Sequence, residues 1–596
     1  MDRKTWIAVI LCSLALFGWQ WYYGRKYNEE MARYREAVEA AKAAQPPVVT
    51  AASPIPPAAP AAPTVPGPTS PAPGGPVLAP GVAPVAQTTP EAPERRELLS
   101  TGVAEYTFTT SGGGISEVAL SRHVLEGGPV RLNAGRWSPI GAVSFIQGRP
   151  DNGAYEYEAQ PGTAVLTRVF PDGLKITKNF RVSGEGSGDY VVPFDLIFEN
   201  VGPEAVERPF YNVHLGAAAP VHPRDLPTYT GLNWRRADNG SKFIDANWFN
   251  EGRFLGFSTR AARPLYEQEV TGLRWAGVKN QYFTTIFTLP EPADARVLAW
   301  PFEVKFAGES RPQNALEASL NFPGFRIAPG EKVERRFSLY SGPKEHGQLS
   351  ALGAEQDEVL NYGMFKPFSI ALLWAMNTLN RWLGNYALAI IVLTLVIKSA
   401  LYPLQSKANN SMRKMAALSP KMTELRTKYQ DDPTRMNQEV MKLYKDYGVN
   451  PFGGCLPMMV QIPIFFGFYS MLGTAVELRN SKFLWVNDLS QPDTVFHLAS
   501  FPVNILPLVM AGTMLWQMSL TPKTGDAVQQ RIFMFMPLIF IAFCYNFASA
   551  LALYWTVQNL FSVVQLYLTR NQPIPALTKI APPADLKGRK GGKGRR

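Results

Sequence analysis

Residues Tyr386–Leu404 read YALAIIVLTLVIKSALYPL. The run is apolar, long enough to span a bilayer, and carries one full charge, Lys398. A charge inside a span costs about 3 kcal/mol on insertion scales, so it marks a pathway or a binding surface. At about 1.5 Å rise per residue, Lys398 lies about 18 Å along the helix from one end and about 9 Å from Leu404, between midplane and interface. Thr394 at i−4, Tyr402 at i+4 and Gln405 at i+7 share its face, while the other faces are Ile, Leu, Val and Ala. The competing reading is a lysine that snorkels to the near interface. The polar stripe around it argues for more than that.

Outward from this span, the chain of 596 residues has room for several domains. Trp6–Tyr23 follows Arg3 and Lys4 and ends in Trp19, Trp21, Tyr22 and Tyr23, an aromatic belt that reads as a retained membrane anchor within residues 1–24. Residues 25–100 are a linker dominated by Pro and Ala. Residues 101–345 alternate short strand patterns with turn signals, which predicts a large all-β sandwich. Ala164–Phe170, Pro171-Asp172-Gly173 and Leu174–Val182 predict a hairpin. Tyr190–Phe198, Tyr282–Thr288 and Val333–Tyr340 predict further strands. Such sandwiches often bind sugars, but no carboxylate pair stands out as catalytic.

Within 359–385, Phe368, Leu372, Ala375, Met376, Leu379, Trp382 and Leu383 recur at helical spacing and predict an amphipathic helix lying on the outer membrane surface. Residues 386–570 then read as a five-span core. After the Lys398 span, residues 405–448 are charged and helical, with Asp432-Pro433 as N-cap and first helical residue. They predict a cytoplasmic helical hairpin whose first arm Pro420 splits or kinks. Met415, Met422, Met436 and Tyr444 are its candidate surface residues. Four more spans are expected at about Leu456–Gly473, Pro502–Met518, Ile532–Phe547 and Ala550–Leu568.

The last of these carries its own polar stripe: Tyr554, Gln558, Ser562 and Gln565, with Asn559 beside it. Gln461 and Gln517 add polar groups to neighbouring spans. Singly, such residues are ordinary interhelical glue. Together with a cation that no Asp or Glu in any span neutralises, they predict a water-filled, positively charged groove. The Lys/Arg-rich hairpin and tail place the groove's opening and both termini in the cytoplasm, with the β domain outside. Fifteen of the seventeen methionines follow Gly363, a composition suited to adaptable apolar surfaces.

Composition also excludes. The three cysteines, Cys12, Cys455 and Cys544, lie in or beside apolar runs, so the β domain has no disulfide framework or Cys-based metal site. The five histidines show no HExxH spacing, and no GxxxxGK[ST] is present, so no metal, cofactor or nucleotide is expected. The net charge of +11 is concentrated partly in the tail KGRKGGKGRR (Lys587–Arg596), which binds anionic lipid or RNA by charge; nothing points to DNA.

Several motifs are specific: Tyr402-Pro403-Leu404, Val449–Pro457 (VNPFGGCLP), Gln461–Phe465 (QIPIF), Leu551–Asn559 (LALYWTVQN), Lys279–Phe283 (KNQYF) after Trp275, and Tyr340–Lys344 (YSGPK). Through them the chain resembles the YidC/Oxa/Albino family of membrane-protein insertases, in its Gram-negative YidC form. The resemblance implies a multi-pass protein of the bacterial inner membrane with six transmembrane helices and a periplasmic β supersandwich. It implies a non-enzymatic insertase and chaperone for nascent membrane proteins, working alone or with the Sec translocon, and a tail that meets ribosomes. The family's groove cation, usually Arg, falls on Lys398, and its substrate-contacting positions fall on Thr394, Tyr554 and Trp555. Other function classes remain at this stage: a transporter or channel using Lys398 as an anion site, a structural translocon subunit, or an envelope enzyme acting through the β domain.

Overall fold

The computed structural model describes residues 94–570, apart from 126–127, 137, 147–151, 183–189, 239, 255–256, 308, 310, 450–455, 499–500, 522–536, 539 and 543. The expected N-terminal anchor, the linker up to residue 93, residues 532–536, 539 and 543 of the span Ile532–Phe547, and the basic tail lie outside the described residues.

Alternating apolar residues build the β region. In Leu174–Arg181, Leu174, Ile176 and Phe180 point inward. A four-stranded sheet takes Arg96–Ser100, Ala104–Thr109, Gly114–Leu125 and Gly128–Leu132 in chain order. A twelve-stranded sheet runs Ser241–Asp245, Gly231–Arg236, Tyr266–Lys279, Phe283–Val304, Lys332–Pro343, Val191–Asn200, Leu174–Arg181, Thr163–Val169, Glu156–Gln160, with three strands off this path. The two sheets share one core. Phe108 of the smaller meets Phe180 at 5.3 Å, and Phe180 stacks on Phe194 at 4.3 Å.

Two strands differ from the sequence reading. The first strand, Arg96–Ser100, starts inside the stretch assigned to the linker; it pairs with Ala104–Thr109, a partner its own composition does not announce. Tyr282–Thr288 is the start of a 22-residue strand, Phe283–Val304. Pairing with Tyr266–Lys279 jumps from Thr288 to Ala293, so the Pro290–Pro292 segment bulges out of the ladder instead of ending it. At Pro171-Asp172-Gly173, Gly173 takes φ +85° and the hairpin closes through Phe170 N–H to Leu174 O at 2.8 Å.

Helix α1 is Lys366–Leu383, closed by Gly384 at φ +65°. It does not include 359–365, where Asn361 and Gly363 take positive φ and the chain turns in 3-10 pieces. Leu372, Leu373 and Met376 are buried, while Phe368, Trp374 and Trp382 are exposed. The expected apolar face therefore splits into a packed side and an outward aromatic side.

Helix α2, Tyr386–Ala417, starts at Asn385, whose side chain accepts from Ala387 N and Leu388 N. It runs on through Pro403 for 32 residues, so 405–417 continues the span helix instead of opening the hairpin. The break comes at Leu418, just before Pro420. Among the described residues α2 is the one helix long and apolar enough to cross a membrane. Helices α3 (Ser419–Lys428) and α4 (Pro433–Asp446) follow, and Asp432 caps α4 by accepting from Arg435 N at 2.9 Å. Residues Met422–Phe452 belong to a compact unit of their own. Within it the Tyr444 hydroxyl reaches the Met422 sulfur at 3.0 Å, and Met422 is buried while Met436 is half-buried. Met415 lies on the last turn of α2, half-buried.

Helices α5 (Leu456–Leu472), α6 (Ile505–Leu520) and α7 (Ser549–Arg570) complete the apolar part. Pro502–Asn504, expected at the start of a span, is instead the end of a two-stranded ribbon, Thr494–Leu498 with Phe501–Asn504. The β region docks on the segment between α5 and α6. Tyr282 donates its hydroxyl to Ser490 O at 2.9 Å, and Gln281 Nε2 donates to Gly473 O at 2.8 Å. Gln491 Nε2 donates to the buried Asp225 carboxylate at 3.1 Å.

Candidate functional site

Helix α2 packs Ala387, Ala389, Ile390 and Leu393 inward. Thr394 follows on the same face. It is buried, and its hydroxyl donates to Ile390 O at 2.7 Å, so its polar atom is spent within its own helix. One turn later Lys398 Nζ donates to Ser562 Oγ of α7 at 3.4 Å. Ser562 Oγ in turn donates to Gln558 O at 3.0 Å. Helices α2, α5, α6 and α7 contain no Asp or Glu, and among the described residues no carboxylate pairs with Lys398.

Gln461 of α5 closes the other side. Its Nε2 donates both hydrogens, to Tyr554 Oη and to Gln558 Oε1, each at 3.2 Å. Tyr554 is held by stacking on Phe468 at 4.2 Å and 22°. A continuous polar line thus joins three helices: Lys398, Ser562, Gln558, Gln461, Tyr554. Members on different helices are 63 to 164 positions apart in the chain. Tyr554 is buried and the other four members are half-buried.

Other residues singled out from the sequence do not join this line. Tyr402 is exposed. Gln405 Nε2 donates to Asn409 Oδ1 at 3.2 Å, a contact within α2. Gln517 is half-buried on α6. Gln565 is buried, and neither amide atom has a partner among the described residues. Trp555 turns away, with its ring 4.8 Å from Phe465 and 4.7 Å from Phe540. Asn559 is glue: its Nδ2 donates to Met510 O and Thr513 Oγ1 of α6. Ser562, the group that touches Lys398, was visible only as one member of a stripe. Nothing in its own neighbourhood singles it out. Phe468 reads as one of many apolar residues.

The description "YidC periplasmic domain" matches residues 98–375, and "60Kd inner membrane protein" matches residues 378–575. A YidC insertase of Geobacter sulfurreducens is 31% identical over 489 residues, covering 77% of this chain and 83% of its own. The chain belongs to the YidC family of membrane protein insertases. A YidC of Janthinobacterium sp. is 30% identical over 499 residues, covering 80% of this chain and 84% of its own. A solved structure titled as an active YidC insertase, with its first transmembrane domain resolved, covers 80% of this chain and 93% of its own at 18% identity and a TM-score of 0.33. As a YidC protein the chain is a membrane protein insertase and not an enzyme, and its sheet-rich region is the family's periplasmic domain.

Proposed function

We propose that this YidC protein inserts and helps fold nascent inner-membrane proteins through a wet, positively charged groove around Lys398. The observation that carries the reading is that cation itself. It sits on a membrane helix, hydrogen-bonded to Ser562 and free of any carboxylate among the described residues, at one end of a polar line from three helices. A short acidic segment of a client enters from the cytoplasm and is drawn to Lys398, where the low effective dielectric strengthens the attraction. Desolvation is reduced because the groove is already wet. The client's apolar helix then leaves sideways into lipid, driven by its own burial in hydrocarbon. No nucleotide is consumed.

The wider plan belongs to the same proposal. Six helices cross the membrane, and both termini and the Met-rich hairpin are cytoplasmic. Gln405, Gln517, Gln565, Tyr402 and Trp555 line the approach to the groove, and Met415, Met422, Met436 and Tyr444 offer the hairpin's client surface. Membrane lipids, the Sec translocon and ribosomes, the last through the basic tail, are its partners by likeness to the family. Helices of 16 and 17 residues reach only about 25 Å, short of the roughly 30 Å hydrocarbon core, which favours a locally thinned bilayer.

The test is insertion of a small single-span client with an acidic outer tail into liposomes holding the purified protein. Lys398→Arg retains insertion, whereas Lys398→Ala and Lys398→Glu lose it with folding intact. Wild-type insertion by all three variants refutes the groove.

A further inference from the structure

The ribbon Thr494–Leu498 with Phe501–Asn504 has no role in the groove, and its side chains are an anomaly for a water-facing loop. Val495, Phe496, Leu498 and Phe501 are 48%, 54%, 70% and 59% exposed. Phe496 and Leu498, two residues apart, share one face, and Phe501 pairs with Leu498 on it, so one face of the ribbon is apolar and uncovered. An isolated two-stranded hairpin is marginal in water, and one with an uncovered greasy face is worse placed there still.

Its base, by contrast, is firmly built. Thr494 Oγ1 donates to Asn504 Oδ1 at 2.6 Å. Asn504 Nδ2 donates to Tyr545 O at 2.7 Å, and Tyr545 Oη donates to Pro502 O at 2.6 Å. Asp493 accepts from Trp485 Nε1 and from Leu506 N, the second residue of α6. The ribbon is therefore a rigid projection from the start of α6.

Its position says what covers it. From Thr494 to Thr521 the chain has no Asp, Glu, Lys or Arg, and the ribbon runs without a break into α6. Helix α6 has 16 residues and spans about 24 Å, less than the roughly 30 Å hydrocarbon core. A five-residue strand adds about 16 Å of further reach, enough to complete the apolar band on that side. The same end of the molecule carries the outward Trp382 of α1, 85% exposed, and the start of α2, where Asn385 Nδ2 donates to Lys482 O of the adjoining segment.

We infer that the ribbon is a lipid anchor that dips its apolar side chains into the outer leaflet and extends the hydrophobic reach of the short helix α6. Its outward strand edges keep unpaired N–H and C=O groups, which hydrocarbon does not tolerate. The ribbon therefore sits at the level of the head groups and upper acyl chains, with Phe and Leu pointing deeper. This inference rests on the membrane reading of α2 and α6 given above.

The experiment uses the full chain in nanodiscs, with Cys12→Ala, Cys455→Ala and Cys544→Ala to remove native thiols. A fluorophore sensitive to bromine quenching is attached at Val495→Cys, Phe496→Cys or Leu498→Cys. Val396→Cys on the exposed face of α2 and Lys242→Cys on the β domain are the references. Lipids carry bromine either near the head or near the end of the acyl chain. The Phe496 and Leu498 labels are expected to be quenched about twofold by head-proximal bromine and less by chain-end bromine, as for interfacial segments. The Lys242 label stays unquenched, and the Val396 label responds to the deeper bromine. Ribbon labels as unquenched as Lys242, with Val396 quenched, overturn the anchor alone and leave the face to a protein partner. An unquenched Val396 label overturns the membrane reading beneath it. Quenching at Phe496 and Leu498, with or without Val495, supports the anchor, because those two side chains share the apolar face.

Discussion

Tyr282→Phe removes one oxygen from the junction between the periplasmic domain and the segment joining α5 and α6. Two hydrogen bonds go with it: Tyr282 Oη to Ser490 O at 2.9 Å, and Gln281 Nε2 to Tyr282 Oη at 3.0 Å. Tyr282, Gln281 and Ser490 are all buried, so water does not replace the lost partner. At about 1 kcal/mol net per bond, plus the cost of a stranded carbonyl and N–H, the loss is about 2–3 kcal/mol. The ring survives, and so does its contact with Arg479, whose guanidinium lies 4.9 Å from the ring centroid. Hydrogen exchange reads this directly, because Ser549 N–H to Gln491 O and Ala550 N–H to Leu489 O open with the junction. At a factor of ten per 1.4 kcal/mol, those amides should exchange about 30- to 150-fold faster in the variant. Amides of Val191–Asn200 in the sheet interior serve as the control and should not change. Wild-type exchange at Ser549 and Ala550 would refute the view that this contact holds the two parts together.

The pH profile of thermal unfolding should show a minimum near neutrality, from two groups at the same junction. Burial pushes the Lys344 ammonium down to about 7, so its full cost is present below pH 7 and stability climbs as pH rises from there toward the unfolded value near 10.5. Burial pushes the Glu477 carboxyl up to about 7, so stability falls as pH rises from about 4.5 to 7. Each limb is worth a few kcal/mol. Lys344→Met should make the alkaline one shallower and leave the acid one unchanged; the buried Lys279, held down mainly by desolvation, also contributes to the alkaline limb. Gly277→Ala would place a Cβ 2.4 Å from Thr285 O and 2.9 Å from Ile286 Cα, both backbone atoms of the paired strand. A loss of about 3 kcal/mol is expected, seen as early proteolysis of the periplasmic domain. Asn559→Ala should cost about 1–2 kcal/mol by cutting the tie from α7 to α6, lowering the unfolding temperature while liposome insertion persists.

The sequence by itself determined the local part of this protein. Helical spacing and one misplaced charge located α2 and Lys398. Asp432-Pro433 marked the start of α4, and alternation with Gly-bearing turns marked the strands. Each of these is a property of a few consecutive residues, and physical chemistry reads it without knowing what lies alongside. The stripe Tyr554, Gln558, Ser562 was legible in the same way, as a pattern on one helix.

Only the tertiary structure decided what those stripes face. Ser562 meets Lys398 across 164 positions, and Gln461 meets Tyr554 across 93, through packing that no local period encodes. The same holds for Gln405, which shares the Lys398 face by spacing yet pairs along its own helix with Asn409. Pro403 is disfavoured inside a helix, but α2 continues past it to Ala417. Pro290 and Pro292 disfavour a continuous ladder, but pairing with Tyr266–Lys279 resumes beyond them. Pro502–Met518 reads as one span, but Tyr545 holds its first residues as part of a ribbon. In each case propensity is a preference of about 1–3 kcal/mol per residue, and long-range burial and hydrogen bonding together outweigh it.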